Sequence, residues 1–212
     1  MARIVRSDAE NALAEAVAVL RGGGVVAYPS DTVYGLGAAA SDERAVERVF
    51  AAKGRGAEKA LSLLLADAAD LAPLCAEVSL AARVLAQRYW PGALTLVLRR
   101  SLAFHSAALG GGETVAVRVP DHPFLRELIR ALGEPVTGTS ANASGRPACR
   151  SAQEVELELG DAVDLVIDGG PSAAGPESTV VSLTGSLPVV LREGAIPRAD
   201  VERLGRISIA TS

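Results

Sequence analysis

Short apolar runs and amphipathic stretches alternate along the chain, separated by polar segments rich in glycine. Ser7-Asp8-Ala9-Glu10 has the capping-box pattern, and the spacing of Leu13, Val17 and Leu20 predicts a helix behind it, ended by Gly22-Gly23-Gly24. VVAY at 25–28 predicts a buried strand closed by Pro29, and a second helix is expected from Ser41 through Phe50 and Ala52. LSLLLA at 61–66 has strand length, and residues 79–89 predict a helix that stops before Pro91. LTLVLR (94–99) and TVAVRV (114–119) predict neighbouring strands joined by a Gly-rich loop. Asp121 with Pro123 opens a helix to Leu132, VTGTS follows as a short strand, and Ser151 with Glu154 forms another capping box. DLVIDGG, STVVSL and PVVLRE predict three further strands, and ISIA at 207–210 a last one.

Strands and helices intersperse, yet in two places strand follows strand with no room for a crossover helix. The expected fold class is therefore α/β of the mixed α+β kind, a mixed sheet covered by helices. No internal repeat, long linker or low-complexity tail divides the 212 residues, so one domain over 1–212 is expected.

Composition narrows the function classes. Aromatic residues are only 3% of the chain, so Ala, Val and Leu must build the core. No apolar run approaches bilayer-spanning length, and the N-terminus mixes acids and bases without the apolar stretch of a secretion signal. Two cysteines, Cys75 and Cys149, make neither a disulfide framework nor a metal cluster, and a cytoplasmic location with no membrane partner is the expectation. A formal charge of −4 argues against a broad basic face for nucleic acid but permits a local basic pocket. Of the 21 basic residues only Lys53 and Lys59 are lysine, and both fall within KGRGAEK.

Four polar segments stand at the ends of predicted elements: SDTVYGLG (30–37), KGRGAEK (53–59), TGTSANASGR (137–146) and ESTVV (177–181). Rigid α/β scaffolds carry ligand sites at such edges. KGRGAEK gathers two ammoniums, a guanidinium and two glycines, which suits phosphate; it equally suits a solvated helix end whose cations complement the dipole. Arg118 lies in the apolar run VAVRVP, where it must either pair with an internal acid or face a cleft and hold a carboxylate or phosphate. Arg192 in VVLREG repeats the pattern beside Glu193. Thr32, Ser140, Asn142 and Ser178 are candidate neutral hydrogen-bonding groups, and each is also an ordinary turn or cap residue type. Asp31 fits an N-cap or a metal partner. His105 and His122 have no nearby acid or cysteine to suggest a triad or zinc site, and no base adjacent to Cys149 activates it. Cations and donors without a convincing nucleophile suit phosphoryl or nucleotidyl transfer, in which the protein positions reactants and stabilises charge.

YPSDTVYGLG, KGR, WPGALTLVL, VAVRVPDHP, TSANASG, ESTVV and LREG, in this order, resemble the YrdC-type family of threonylcarbamoyl-adenylate synthases, from about the first helix to about residue 195. The resemblance implies a YrdC-like open, twisted mixed sheet with a concave, positively lined cavity. It implies an ATP-using nucleotidyltransferase that combines L-threonine, bicarbonate and ATP, with Mg²⁺ on the phosphates, into L-threonylcarbamoyl-AMP and pyrophosphate. The product would feed the N6-threonylcarbamoyladenosine modification of tRNA through a downstream transferase, with direct tRNA binding weak. Carried over by motif, Lys53 and Arg55 are catalytic; Arg55, Lys59, Thr114, Ser140, Asn142 and Arg192 handle the nucleotide; Thr32, Arg118 and Ser178 hold threonine. No protein metal ligand is implied. The chain departs from the commonest pattern at Gly56 and Ala60, where many relatives have proline, and at Arg150, where threonine is frequent. It resembles the short form of the family, without the additional C-terminal domain of longer members.

Two rivals remain at this point. A carbamoyl-adenylate-forming relative would keep the fold and change the substrate. An RNA-binding YrdC-like module would use the concave face without chemistry, against which the acidic net charge and scarce aromatics count.

Overall fold

The computed structural model describes residues 2–172 and 175–210. The first half runs β1 (Arg3–Arg6), α1 (Ala12–Arg21), β2 (Val26–Tyr28), β3 (Gly35–Gly37), α2 (Glu43–Lys53), β4 (Ser62–Leu64), α3 (Leu80–Tyr89) and β5 (Leu94–Arg99). The second half runs β6 (Thr114–Arg118), α4 (Pro123–Leu132), β7 (Val136–Ser140), α5 (Ala152–Leu159), β8 (Leu165–Asp168), β9 (Thr179–Ser182), β10 (Val189–Arg192) and α6 (Arg198–Ala210). The ten strands form one sheet in the order β1-β8-β2-β3-β7-β4-β6-β5-β9-β10. It is mixed: β8 pairs in parallel with β1 and β2, β4 with β6, and β5 with β9, while the remaining neighbours are antiparallel.

The two faces of this sheet meet different surroundings. Alternation puts Leu63, Leu94, Leu96, Val115, Val117 and Val181 on one face, where they join the larger buried cluster with residues of α2, α3 and α5. On the other face α1 and α4 pack through Val17, Leu20, Leu125, Leu128 and Ile129 onto Val26, Tyr28, Leu64 and Val136. That second cover reaches only part of the sheet. Across β6, β5 and β9 the same face presents Ala116, Arg118, Thr95 and Val180, which line a cavity instead of a core. The run VAVRVP is thus apolar on its buried side and open on the other, which explains how a strand can carry Arg118.

Several expected boundaries shift. Residues 7–10 form no capping box: β1 precedes them, Asp8 is taken by the Arg6 guanidinium, and α1 begins at Ala12 behind Asn11 with no side-chain cap. Asp42 rather than Ser41 caps α2, accepting from Ala45 N at 3.0 Å. His122, not Asp121, is the N-cap of α4, with Pro123 in its first turn. Ser151 caps α5 as expected, but Glu154 accepts from Arg150 N rather than closing the box. ISIA lies in α6, so the expected terminal strand is helix. Two strands are absent from the sequence reading, β1 and β3. A run of Gly-Leu-Gly carries almost no strand propensity. It is placed by its neighbours: an added Cβ at Gly35 would sit 2.2 Å from Tyr28 Cε2, and one at Gly37 2.1 Å from the Thr137 carbonyl. Among the described residues no helix is long and apolar enough to cross a membrane.

Candidate functional site

The uncovered half of the sheet forms the floor of a cavity of about 480 Å³. Thr32, Lys53, Arg55, Arg118, Ser140, Asn142, Ser178 and Arg192 all line it, although they come from six separate stretches of chain. Lys59 and Thr114 do not. Lys59 is exposed on the loop after α2, and Thr114 begins β6, opposite Arg99.

Lys53 ends α2, and Gly54 closes the helix in the left-handed conformation at φ 56°. The Lys53 side chain is 3% exposed, and its Nζ donates to the carbonyls of Ser140 at 2.5 Å and Asn142 at 2.7 Å. In return the Lys53 carbonyl accepts from Ser144 N at 2.8 Å. Burial first, then the neighbouring Arg55 guanidinium, pulls the Lys53 ammonium down from 10.5 to about 8. Arg55 folds back on its own loop, donating through Nε to Lys59 O and through Nη2 to Ala60 O. Asn142 spends both amide hydrogens on Ala143 O and Arg146 O, and its buried Oδ1 has no hydrogen-bond partner among the described residues.

On the floor, Arg118 has the internal acid partner and also faces the cleft. It lines the cavity, and it is paired with Asp31 at 2.6 Å, with side chains only 10% and 15% exposed. Its Nε donates to Gly92 O and its Nη1 to Thr32 Oγ1 at 3.3 Å. In this arrangement Asp31 balances a buried guanidinium. Arg192 pairs with Glu177 at 2.5 Å, not with the adjacent Glu193, and also donates to Ser178 through the carbonyl and Oγ.

The polar lining includes residues that sequence reasoning passed over. Thr95, 5% exposed, lies in β5 with its hydroxyl 2.9 Å from Ser178 Oγ, and Ser30 Oγ lies 3.1 Å from Thr32 Oγ1. The signal for Thr95 was one hydroxyl inside an apolar strand, the same kind of signal that singled out Arg118. Cys149 is buried, and burial pushes its thiol up to about 11, which keeps it inert. Burial lowers the pKa of the His122 imidazole, and its Nδ1 has no partner among the described residues.

Known proteins share this fold. The family that unites Sua5, YciO and YrdC, described as Telomere recombination, matches residues 18–194. The threonylcarbamoyl-AMP synthase of Pyrococcus abyssi is 44% identical over 195 residues, covering 92% of this chain and 57% of that protein. The threonylcarbamoyl-AMP synthase of Bacillus subtilis is 42% identical over 191 residues, covering 90% of this chain and 55% of that protein. The crystal structure of P. abyssi Sua5 complexed with L-threonine superposes with a TM-score of 0.90 at 41% identity, over 96% of this chain and 60% of that one. The chain spans little more than half the length of these two synthases. A family match over residues 18–194 and a superposition over 96% of the chain leave one assignment: the chain belongs to the Sua5–YciO–YrdC family.

Proposed function

We propose that this protein is an L-threonylcarbamoyladenylate synthase, a nucleotidyltransferase that makes L-threonylcarbamoyl-AMP and pyrophosphate from L-threonine, bicarbonate and ATP. The observation that carries the reading is the convergence of four cations with hydroxyls in one cavity: Lys53, Arg55, Arg118 and Arg192 against the buried Thr32 and Ser178 and the half-buried Ser140. The names of the P. abyssi and B. subtilis relatives, and the L-threonine in the Sua5 crystal, support the same substrate.

Arg118 is the group for the amino-acid carboxylate, because a guanidinium can present two parallel donors to it. Thr32 and Ser178 flank it. Threonine's ammonium first sheds its proton, and the neutral amine then takes up bicarbonate to give a carbamate with loss of water. A carbamate oxygen then attacks the α-phosphorus of ATP, a P–O bond forms, and the bond to the pyrophosphate leaving group breaks. Lys53 and Arg55 stand where α- and β-phosphate charge grows and stabilise it. Ser140, Asn142 and Arg192 hold the nucleotide. Lys59 and Thr114 lie outside the lining, so they are assigned to its rim.

Magnesium would arrive on the triphosphate. The lining holds one carboxylate, Glu177, already engaged by Arg192, and among the described residues no group of three or more His, Cys, Asp or Glu could cage a metal. That donor set suits an ion that keeps phosphate and water ligands. The product would pass to a transferase acting on tRNA in the cytoplasm. Ligand-dependent melting tests the substrate assignment. L-Threonine with Mg-ATP, each at about a hundred times its Kd, should stabilise by roughly 2.7 kcal/mol or more. A shift produced by RNA and not by these ligands would favour an RNA-binding module.

A further inference from the structure

The hydroxyl of Thr95 has no task in the reaction just described, yet it is buried at the cavity floor. Antiparallel pairing of β5 with β6 matches Leu96 to Val117, so the next position along places Thr95 beside Arg118 on the cavity face. Parallel pairing with β9 sets Thr95 against Val180, two residues from Ser178. Directly opposed side chains in a sheet have Cβ atoms about 4.5–5.5 Å apart. An amino acid held by its carboxylate on Arg118 therefore has its β-substituent within reach of Thr95 and Ser178.

Counting hydrogens shows what this pair can read. Two hydroxyls carry two hydrogens and four lone pairs. One hydrogen is spent between Thr95 Oγ1 and Ser178 Oγ, 2.9 Å apart, and Arg192 Nη2 donates into Ser178 Oγ at 3.2 Å. Whichever oxygen is the donor within the pair, one hydroxyl hydrogen and at least one lone pair are left over. A ligand that both accepts and donates at one atom, an alcohol, satisfies both. A methyl group in the same place leaves them buried and unpaired, and a site built this way rejects the analogue that lacks the hydroxyl.

We propose that Thr95 is a specificity-determining residue, which with Ser178 reads the side-chain hydroxyl of a β-hydroxy amino acid and excludes its isostere valine. The inference rests on the proposed function and names the groups that select its substrate. The test measures kcat/KM for L-threonine and for L-valine in formation of the AMP conjugate, with the KM for ATP as control. Thr95→Val should lower the threonine-to-valine ratio by at least about tenfold and leave the KM for ATP within about threefold. Thr95→Ser, which restores the hydroxyl, should keep the ratio within about threefold of the wild type, whatever happens to the absolute rate. Ser178→Ala removes the other half of the pair and should collapse the ratio likewise, which gives a second measure should Thr95→Val fail to fold. An unchanged ratio in the folded variants, or a parallel loss for both amino acids and ATP, overturns the inference while the synthase reading stands. A wild type with no threonine-dependent conjugate overturns both.

Discussion

The ammonium of Lys53 donates to the main-chain carbonyl of Ser140 across 87 residues of sequence, at 2.5 Å. With the parallel bond to Asn142 O and the return bond from Ser144 N, it joins the end of α2 to the loop after β7. The KGR and TSAN segments are thus one structural unit. Two of the three ammonium hydrogens fix the loop, and the third remains for a ligand oxygen. Lys53→Ala should therefore both loosen the loop and remove charge from the phosphate site, lowering turnover by about 10²-fold or more. Pyrophosphate release by the folded variant measures this, and a near-normal rate would remove Lys53 from the mechanism. Arg55→Ala, tested the same way, should lose turnover on the same scale without disturbing the Lys53 contacts.

The lowered Lys53 pKa gives activity and stability opposite pH dependences. Below about 8 the side chain is protonated in both folded and unfolded chains; between about 8 and 10.5 the unfolded chain binds a proton that the native protein lacks. This group's contribution to stability therefore rises with pH across that window, as the cost of a buried ammonium is relieved. kcat/KM for ATP should fall over the same range in the free enzyme, because the charge that meets the phosphates is lost. Denaturation midpoints of the wild type and Lys53→Met from pH 7 to 10.5 test the first part. Their difference should change with pH, and a constant difference would show that Lys53 is not the titrating group.

Removing Asp31 should be costly. Its pair with Arg118 is almost wholly buried, and deletion of one partner leaves a guanidinium with no counter-charge. Asp31→Ala should destabilise by about 3–5 kcal/mol. Because a substrate carboxylate can replace the lost charge, threonine should restore more stability to this variant than it gives the wild type. Urea unfolding with and without threonine checks both statements, and equal increments would mean that the ligand does not meet Arg118.

Gly35→Ala tests the packing that places β3. The new methyl would have to displace the fully buried Tyr28 ring, whose hydroxyl donates to Thr137 O at 2.7 Å. A loss of about 1–3 kcal/mol is expected in thermal or urea unfolding, and a neutral result would show that the ring moves freely.

Much of the sheet could be read from the chain because its central strands are apolar on at least one face. LTLVLR and TVAVRV predicted β5 and β6 as neighbouring strands joined by a Gly-rich loop, and the structure pairs them antiparallel. β3 was hidden because glycines carry no pattern, and its position follows from the space that Tyr28 and Thr137 leave. The shift of the first helix to Ala12 was hidden because Asp8 answers Arg6 rather than a helix N-terminus. Within the site, Arg118 could be singled out by its apolar context, but its partner could not, since Asp31 lies 87 residues away in sequence. Thr95 was missed because a threonine in a strand is an ordinary occurrence; only the face on which it falls gives it meaning. Thr114 was singled out by the resemblance to a known family alone, and Lys59 also by the scarcity of lysine in the chain; both lie outside the cavity lining.

The most direct test of the account is a single incubation of the protein with L-threonine, bicarbonate and Mg-ATP labelled at the α-phosphate, followed by chromatography. An AMP conjugate that forms only when threonine and bicarbonate are both present, in step with pyrophosphate, is the predicted result. Label that stays in ATP, or pyrophosphate released at the same rate without threonine, would contradict it.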